Sequence, residues 1–322
     1  MQEKAAIGIT IGDPAGIGPE VVTKALATGE VHELCRPVLI GNAWAIEQAV
    51  KLIGAPLTVR KVDSPDGAGT DTKVIDVIDP GNLRNEDIKL AQASAACGKA
   101  VSEWLKEAER LVTAGKVAGT VMAPINSDSL RMAGARAGNG ASQGYLFLLN
   151  GPLRVVHLTD HLPVREAYKL ATKDNLLKLV DLLHKSLSEW GIPNARIGVA
   201  GVNPHAMGEE DDNELKPAVE EAKKRGIDIA GPIPPDTVFR HCVEGIYDVV
   251  IAIFHDQGHV AMKTWRFEGT VAISLGRPYI GTSVAHGTAF DIVGKGIADH
   301  TAILNAMKMT ASLATGRGFP RN

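Results

Sequence analysis

The stretch IFHDQGHVAMK, residues 253–263, follows the uninterrupted apolar run DVVIAI and carries two histidines, an aspartate and a lysine. A turn after a strand needs a glycine and a polar residue, but it does not need two imidazoles. Two further histidines have the same setting, because His161 follows the run RVVHLT and His205 follows the run ARIGVAGV. Together with His255, three imidazoles therefore stand just beyond three candidate strands.

These three histidines predict a divalent metal site. The carboxyl ends of parallel strands meet at one edge of a sheet, so His161, His205 and His255 are expected to converge there. Three imidazoles bind a metal and leave positions open for a substrate, whose hydroxyl or carbonyl oxygen the metal polarises. Asp160 and Asp256 adjoin two of the rings and are candidates for orienting them. The alternative is three loop histidines that are hydrogen-bonded to backbone.

The elements that must position these residues alternate between short apolar runs and helical patterns. Strands are predicted at 5–11, 37–42, 73–78, 119–124, 154–159, 195–202, 248–254 and 270–275. Helices are predicted at 90–115, 174–190, 213–225 and 297–316. Several runs are apolar throughout, which is typical of strands that are covered on both faces. The alternation predicts an α/β fold with mainly parallel sheets.

Composition excludes several functional classes. The chain has 322 residues, 45% of them hydrophobic and 22% charged, with a net charge of −3. It has no long basic stretch, so we expect no nucleic-acid partner. Its three cysteines form no CxxC pair, which argues against a disulfide framework or a zinc ribbon. No apolar run approaches the length of a membrane span, and we expect a soluble, cytoplasmic protein.

Several longer stretches carry a family resemblance. They are GDPAGIGPE (12–20), HLP (161–163), GVNPHA (201–206), GPIPPDTVF (231–239), FHDQGH (254–259) and TSVAHGTAFDIVGKGIAD (282–299). Taken together they resemble the 4-hydroxythreonine-4-phosphate dehydrogenase (PdxA) family nearly end to end. The last stretch is also similar to the HGSAPDIAGKGIA signature of isopropylmalate and isocitrate dehydrogenases, which share this fold.

The resemblance implies a two-domain α/β/α subunit of the isocitrate and isopropylmalate dehydrogenase type. We place one domain at 1–125 plus 270–322 and the other, with metal and dimer contacts, at 126–269. The resemblance also implies a homodimer with a shared active site and NAD or NADP as cofactor. One divalent metal, which is zinc, manganese, cobalt or magnesium, would be held by His161, His205 and His255, with one ligand coming from the other subunit.

The resemblance further implies roles for residues outside the metal ligands. Lys263 matches a substrate-contact residue, and Asp256 and Asp236 are candidates for orienting ligands or moving protons. The expected cofactor residues are His286, Gly287, Thr288, Ala289 and Asp291. The implied reaction is oxidation and decarboxylation of a hydroxy acid, nominally 4-phosphohydroxy-L-threonine in pyridoxine biosynthesis.

The sequence departs from the family at substrate positions. The family's GHTE is replaced by AGNGASQGYLF (137–147), in which Ser142 is a candidate substrate contact. The family's substrate-binding arginine aligns with Gly281, and the candidate replacements for its charge are Arg277, Arg136 and Arg266. These changes leave two alternatives open. One is a catabolic paralogue that oxidises a non-phosphorylated substrate such as terephthalate cis-dihydrodiol, and the other is a non-catalytic binding protein.

Overall fold

The chain forms two compact units in a computed structural model that describes residues 4–135 and 144–320. Unit 1 comprises 1–139 and 278–315, and unit 2 comprises 140–277 and 316–322. The sequence placed the domain changes at 125 and 269, whereas the structure has them at 139 and 277.

Unit 1 contains six parallel strands. They are β1 (Ala6–Thr10), β2 (Arg36–Ile40), β3 (Thr58–Lys61), β4 (Val74–Ile78), β5 (Gly119–Met122) and β12 (Ile280–Val284), in the order β3-β4-β2-β1-β5-β12. The central strand β1 is buried along its whole length. Continuous apolar strands of this kind need cover on both faces of the sheet.

Helices of unit 1 supply that cover. They are α1 (Gly18–Ala27), α2 (Glu30–Leu34), α3 (Ala43–Ile53), α4 (Ala95–Thr113), α5 (Ser127–Met132) and α11 (Thr301–Ala314). Their starts follow ordinary capping chemistry: Asn42, Ser94 and Asn126 each accept a hydrogen bond from a backbone N–H in the first turn of α3, α4 and α5.

Unit 2 contains six strands of mixed direction. They are β6 (Tyr145–Asn150), β7 (Leu153–His157), β8 (Ile197–Ala200), β9 (Ile229–Ile233), β10 (Val249–Ala252) and β11 (Val271–Leu275), in the order β11-β6-β7-β10-β8-β9. Strand β6 is antiparallel to both β11 and β7, and the remaining pairs are parallel. The parallel strands β7, β10 and β8 therefore end at the same edge.

Helices of unit 2 are α6 (Val164–Tyr168), α7 (Lys173–Glu189), α8 (Lys216–Lys224), α9 (Val238–Val243) and α10 (His255–Trp265). The chain returns to this unit after α11. Phe319 packs edge-on against Trp190, with ring centroids 5.8 Å apart, and the Arg154 guanidinium lies 5.3 Å from the Phe319 ring. The C-terminal segment thus belongs to unit 2, although the helix before it belongs to unit 1.

All eight predicted strands are present as β1, β2, β4, β5, β7, β8, β10 and β11, and the four predicted helices correspond to α4, α7, α8 and α11. The sequence missed β3, β6, β9 and β12. None of the helices within 4–135 and 144–320 combines the length and the apolar character needed to cross a bilayer.

Candidate functional site

Gln257 positions the start of α10. Its Oε1 accepts hydrogen bonds from the backbone N–H groups of Ile253 at 2.8 Å and Phe254 at 3.1 Å. Its Nε2 donates to the carbonyl of Gly201 at 2.9 Å. The side-chain amide therefore satisfies free donors before the helix and ties α10 to the loop after β8. This fixes the first helical residue, His255, at the end of β10.

Gly258 leaves room for a buried ring. A Cβ at this position would lie 2.2 Å from Nε2 of His157 and 2.8 Å from Val155. The ring of His157 lies at the end of β7, only 1% exposed, with Nδ1 at 3.0 Å from the carbonyl oxygen of Leu146. Burial lowers the pKa of His157 to about 4, so the ring is neutral at pH 7. The glycine of HDQGH therefore lets α10 pack on β7.

Asp160, His161 and His255 form a candidate metal centre in unit 2. One potential ligand atom from each lies within 4.8 Å of those from the other two. His161 comes just after β7 and His255 begins α10 after β10, and their ring centroids are 4.7 Å apart. Imidazole nitrogens and a carboxylate oxygen are suitable ligands for a divalent cation. The donor set therefore fits the expected metal.

Each histidine of this centre has a neighbouring aspartate. Nδ1 of His255 lies 2.7 Å from Oδ1 of Asp256 in a hydrogen bond, which lowers the pKa of Asp256. Nδ1 of His161 lies 2.8 Å from Oδ1 of Asp160. Burial alone would raise the pKa of Asp160, but the hydrogen bond and charge of His161, together with His255 and His157, lower that pKa overall. The hydrogen bond to Asp160 raises the pKa of His161. Both rings thus sit beside negative charge.

Two further imidazoles, those of His259 and His157, lie next to His255. The ring of His259 stacks on His255 at a centroid distance of 3.7 Å and a plane angle of 17°. It also lies 4.9 Å from the ring of His157. Burial, with His157 and His255 nearby, lowers the pKa of His259 to about 3. The sequence could indicate His259 only as an i+4 neighbour of His255, and it gave no signal for His157, which reads as one residue of an apolar strand.

His205 lies outside this group. Among the described residues, the set of ligand atoms within 4.8 Å contains Asp160, His161 and His255 but not His205. His205 is exposed and has φ of 58°, a left-handed backbone that is uncommon for a residue with a Cβ. Its loop is anchored by Asp211, which is fully buried and accepts hydrogen bonds from the backbone N–H groups of Val202 at 2.8 Å and Asn203 at 3.1 Å.

The other predicted substrate and proton-transfer residues are dispersed. Lys263 is exposed on α10, one helical turn beyond His259. Asp236 is exposed before α9 and accepts a hydrogen bond from Thr237 Oγ1 at 2.9 Å. Arg277 is half-buried, two residues beyond β11. Ser142 and Arg136 lie outside the described residues.

The predicted cofactor segment lies in unit 1. Thr288 is buried, its carbonyl accepts a hydrogen bond from the N–H of Ile17 at 3.1 Å, and its Oγ1 accepts one from Asn126 Nδ2 at 3.3 Å. A Cβ on Gly16 would lie 2.7 Å from Thr288, so the glycine-rich turn after β1 is in close contact with this segment. Gly287 has open space above its Cα. Of the other predicted residues, His286 and Ala289 are half-buried and Asp291 is exposed.

Two charged residues of α1 hold the end of the same segment. Glu20 Oε1 accepts a hydrogen bond from the N–H of Ala298 at 2.9 Å. Lys24 Nζ donates to Glu20 at 2.8 Å and to the carbonyls of Gly296 at 2.9 Å and Ala298 at 2.8 Å. A largely buried ion pair that also bonds backbone groups in this way orders a loop. The GDPAGIGPE motif therefore supports the cofactor segment, through its last residue, Glu20.

Comparisons with known proteins identify the family of the chain. Residues 33–310 match the family model described as pyridoxal phosphate biosynthetic protein PdxA. A protein of Novosphingobium aromaticivorans, provisionally named 4-hydroxythreonine-4-phosphate dehydrogenase, is 47% identical over 98% of this chain and 97% of its own. A D-threonate 4-phosphate dehydrogenase of Cupriavidus necator is 39% identical over 97% of this chain and 98% of its own.

Solved structures with the same fold are also known. The crystal structure of 4-hydroxythreonine-4-phosphate dehydrogenase from Klebsiella pneumoniae is 32% identical, with a TM-score of 0.85 over 98% of this chain and 99% of that chain. A β-decarboxylating dehydrogenase from Thermococcus kodakarensis is 13% identical, with a TM-score of 0.51 over 99% of this chain and 92% of that chain, and shows the fold alone. The predicted α/β fold class is confirmed.

The relatives are named as dehydrogenases, which confirms the prediction of an oxidoreductase that acts on a CH–OH group. Dehydrogenase chemistry of this kind implies a small-molecule substrate, a nicotinamide cofactor and, with the ligand group in unit 2, a divalent metal. The family resemblance of the sequence is likewise confirmed, and the chain belongs to the PdxA family of dehydrogenases.

Proposed function

We propose that this protein oxidises and decarboxylates a four-carbon 3-hydroxy acid that carries a phosphate on C4, using NAD or NADP and one divalent metal. The observation that carries the proposal is the convergence of Asp160, His161 and His255 at the strand ends of unit 2. A homodimer in the cytoplasm is part of the proposal, since the family resemblance of the sequence implies that one metal ligand crosses between subunits.

The names of the relatives support this substrate class. 4-Hydroxythreonine 4-phosphate and D-threonate 4-phosphate are both four-carbon acids with a hydroxyl on C3 and a phosphate on C4. They differ only at C2, where the first carries an ammonium and the second a hydroxyl. Oxidation at C3 of either compound gives a 3-oxo acid, from which CO₂ leaves readily. The two substrates therefore need the same catalytic groups, and they differ only in the contact that the C2 substituent makes with the protein.

The roles of the two bound groups can be stated briefly. When bound, the metal would supply charge that stabilises oxygen anions of the substrate, and the nicotinamide would supply a hydride acceptor for C3. His161 and His255 would hold the metal, with His205 as the ligand that the family resemblance adds. His286, Gly287, Thr288, Ala289 and Asp291 would bind the nicotinamide cofactor in unit 1.

The remaining residues would prepare the substrate and move protons. Asp256 holds the proton on Nδ1 of His255, which leaves Nε2 of that ring free as a ligand. Lys263 offers an ammonium to an anionic group of the substrate, and Arg277 and Ser142 are the proposed further contacts. A proton must leave the C3 hydroxyl and another must reach C2 after CO₂ departs. We assign these transfers to Lys263, Asp256 and Asp236.

The test is NADH or NADPH formation by purified protein with zinc, manganese, cobalt or magnesium. Four compounds should be offered: 4-hydroxythreonine 4-phosphate, D-threonate 4-phosphate, unphosphorylated D-threonate and terephthalate cis-dihydrodiol. Turnover of one or both phosphate esters, lost after chelation and restored by metal, is the expected result. Turnover of the dihydrodiol alone would replace the proposal with the catabolic alternative that the altered substrate positions favour. Binding of metal and cofactor without turnover of any compound would contradict the proposed substrates.

A further inference from the structure

Unit 1 contains a cavity of about 280 Å³ between α1, α3 and the segment that follows β12. Much of its wall is apolar. Trp44 and Leu52 come from α3, Leu90 from the segment before α4, and Val293 from the segment after β12. Leu52 is 40% exposed and Leu90 is 58% exposed. Large apolar side chains that stay open to water around a concave surface are typical of a ligand site.

The lining also shows which ligands the cavity does not suit. Among the residues that the structure describes, it includes no lysine or arginine, and its single titratable side chain is the carboxylate of Glu20. A phosphate or carboxylate group needs a cationic partner in such a site. None of the five residues predicted to bind the cofactor lines the cavity either. The cavity is therefore separate from those residues, and it suits a neutral molecule.

Glu20 presents a hydrogen-bond acceptor without a donor. The residue is only 3% exposed, and its Oε1 is bonded to Lys24 Nζ and to the N–H of Ala298. Its Oε2 is buried and accepts no hydrogen bond from any of the described residues. Lys24 already balances the charge of the carboxylate, and its ammonium also donates to two backbone carbonyls. Oε2 thus lacks a neutral N–H or O–H donor rather than a second cation.

The remaining walls favour a flat ring. The indole of Trp44 is half-buried, and Pro14 and Pro19 line the cavity with it. An aromatic ligand gains both from stacking on an indole face and from the large apolar area that it buries. Gln48 adds a side-chain amide that makes no hydrogen bond within residues 4–135 and 144–320. An aromatic ring with one N–H would fill the apolar space and satisfy Oε2 at the same time.

We propose that this cavity binds a neutral aromatic molecule whose ring lies against Trp44 and whose N–H donates to Oε2 of Glu20. The site adjoins the cofactor segment, because Glu20 holds the N–H of Ala298, and Gly16, which also lines the cavity, abuts Thr288. A ligand that fixes Glu20 orders this segment before the cofactor arrives, so it raises cofactor affinity. This coupling rests on the proposed function, whereas the binding itself does not.

Calorimetry with indole tests the binding on the unaltered protein. 1-Methylindole is the matched probe, because it has the same ring but lacks the N–H. We expect indole to bind once per chain and 1-methylindole to bind about 10-fold more weakly, as is typical for loss of one hydrogen bond to a charged group. Trp44→Ala should weaken indole binding about 5-fold, and Trp44→Phe should recover part of the loss. Trp265→Ala, which removes a tryptophan of unit 2 that is 47% exposed, is the control and should change nothing.

The coupling is tested by measuring NAD binding with and without indole. Saturating indole should lower the Kd for NAD by about 5-fold, and NAD should lower the Kd for indole by the same factor. An unchanged Kd for NAD would overturn the coupling. Displacement of indole by NAD, with no ternary complex, would overturn the proposal, because the cavity would then be part of the cofactor site.

The binding site can also be refuted without NAD. Equal affinities for the two probes, or an indole affinity that Trp44→Ala leaves unchanged, would overturn it. The comparison of the two probes needs no variant, so it decides the matter even if Trp44→Ala does not fold. Binding of indole by a protein that fails to bind NAD or NADP would instead refute the proposed function and leave the aromatic site standing.

Discussion

Replacing Gly258 with alanine should destabilise the protein, even though alanine is the better helix former. The added Cβ would lie 2.2 Å from Nε2 and 2.9 Å from Cδ2 of His157, and 2.8 Å from Cγ1 of Val155. The first contact must open by roughly 1 Å to reach an ordinary van der Waals distance. The histidine ring cannot simply turn aside, because it is buried and its Nδ1 is bonded to the carbonyl of Leu146.

The opposing effects can be compared. Alanine gains about 1 kcal/mol over glycine inside a helix. Overpacking of a tight core costs about 1–3 kcal/mol, and loss of the bond to Leu146 adds about 1 kcal/mol. We take the upper part of the overpacking range, because the added Cβ would clash with two residues of β7 at once. The net loss is then about 2–3 kcal/mol, which corresponds to a fall in Tm of roughly 4–12 °C for a domain of this size.

The assay is thermal unfolding of metal-free protein followed by circular dichroism. Gly287→Ala is the control, because a Cβ there meets no atom within 4 Å. The double variant Gly258→Ala, His157→Val should lose less stability than the sum of its single changes, since the smaller side chain removes the clash. A Tm for Gly258→Ala equal to or above that of the unaltered protein would show that α10 does not pack on β7 as described.

Three other changes test different parts of the molecule. Asp211→Ala should leave the backbone N–H groups of Val202 and Asn203 without a hydrogen-bond acceptor and lower the free energy of unfolding by about 2–4 kcal/mol. A denaturant midpoint close to that of the unaltered protein would contradict the anchoring role of Asp211. The unfolded chain binds a proton on His157 near pH 6.5, whereas the folded one does so only near pH 4, so stability should fall as pH drops between these values. His157→Gln should reduce the slope of the urea midpoint against pH in this range. An unchanged slope would argue against a buried neutral ring at His157. Lys24→Met removes three hydrogen bonds, two of them to the cofactor segment, and should raise the KM for NAD several-fold with little change in kcat. An unaltered KM would show that Lys24 does not support the cofactor segment.

The sequence predicted the parallel strands well because each is a continuous apolar run. It missed β9 because Gly231 and Pro232 argue against a strand, yet β9 lies at one end of the strand order in unit 2, where a missing N–H is tolerated. It missed β3 because this strand, also last in its order, buries none of its four residues and so shows no apolar pattern. Strands at an edge without such a pattern escaped prediction, and so did β6, which lies between β11 and β7.

The candidate site was predictable to a similar extent. His161 and His255 follow apolar runs, and the structure brings their rings together. The sequence could not show how each neighbouring carboxylate contacts its imidazole ring. Asp160 and Asp256 both adjoin a histidine in sequence, and only the geometry shows that Asp256 is exposed whereas Oδ1 of Asp160 is buried. His157 was invisible for the same reason, because its role depends on a glycine that is distant in the chain.

The return of the C-terminal segment to unit 2 limits how the molecule can be divided. Residues 140–277 look like an excisable insert, but a fragment cut at those points would lack Phe319, and Trp190 would lose its edge-on partner. A shortened chain that ends after α11 would damage unit 2, which carries the candidate metal centre, rather than unit 1, in which it ends. The last residues are therefore a poor place for truncation or for a rigid fusion, in spite of their position at the end of the polypeptide.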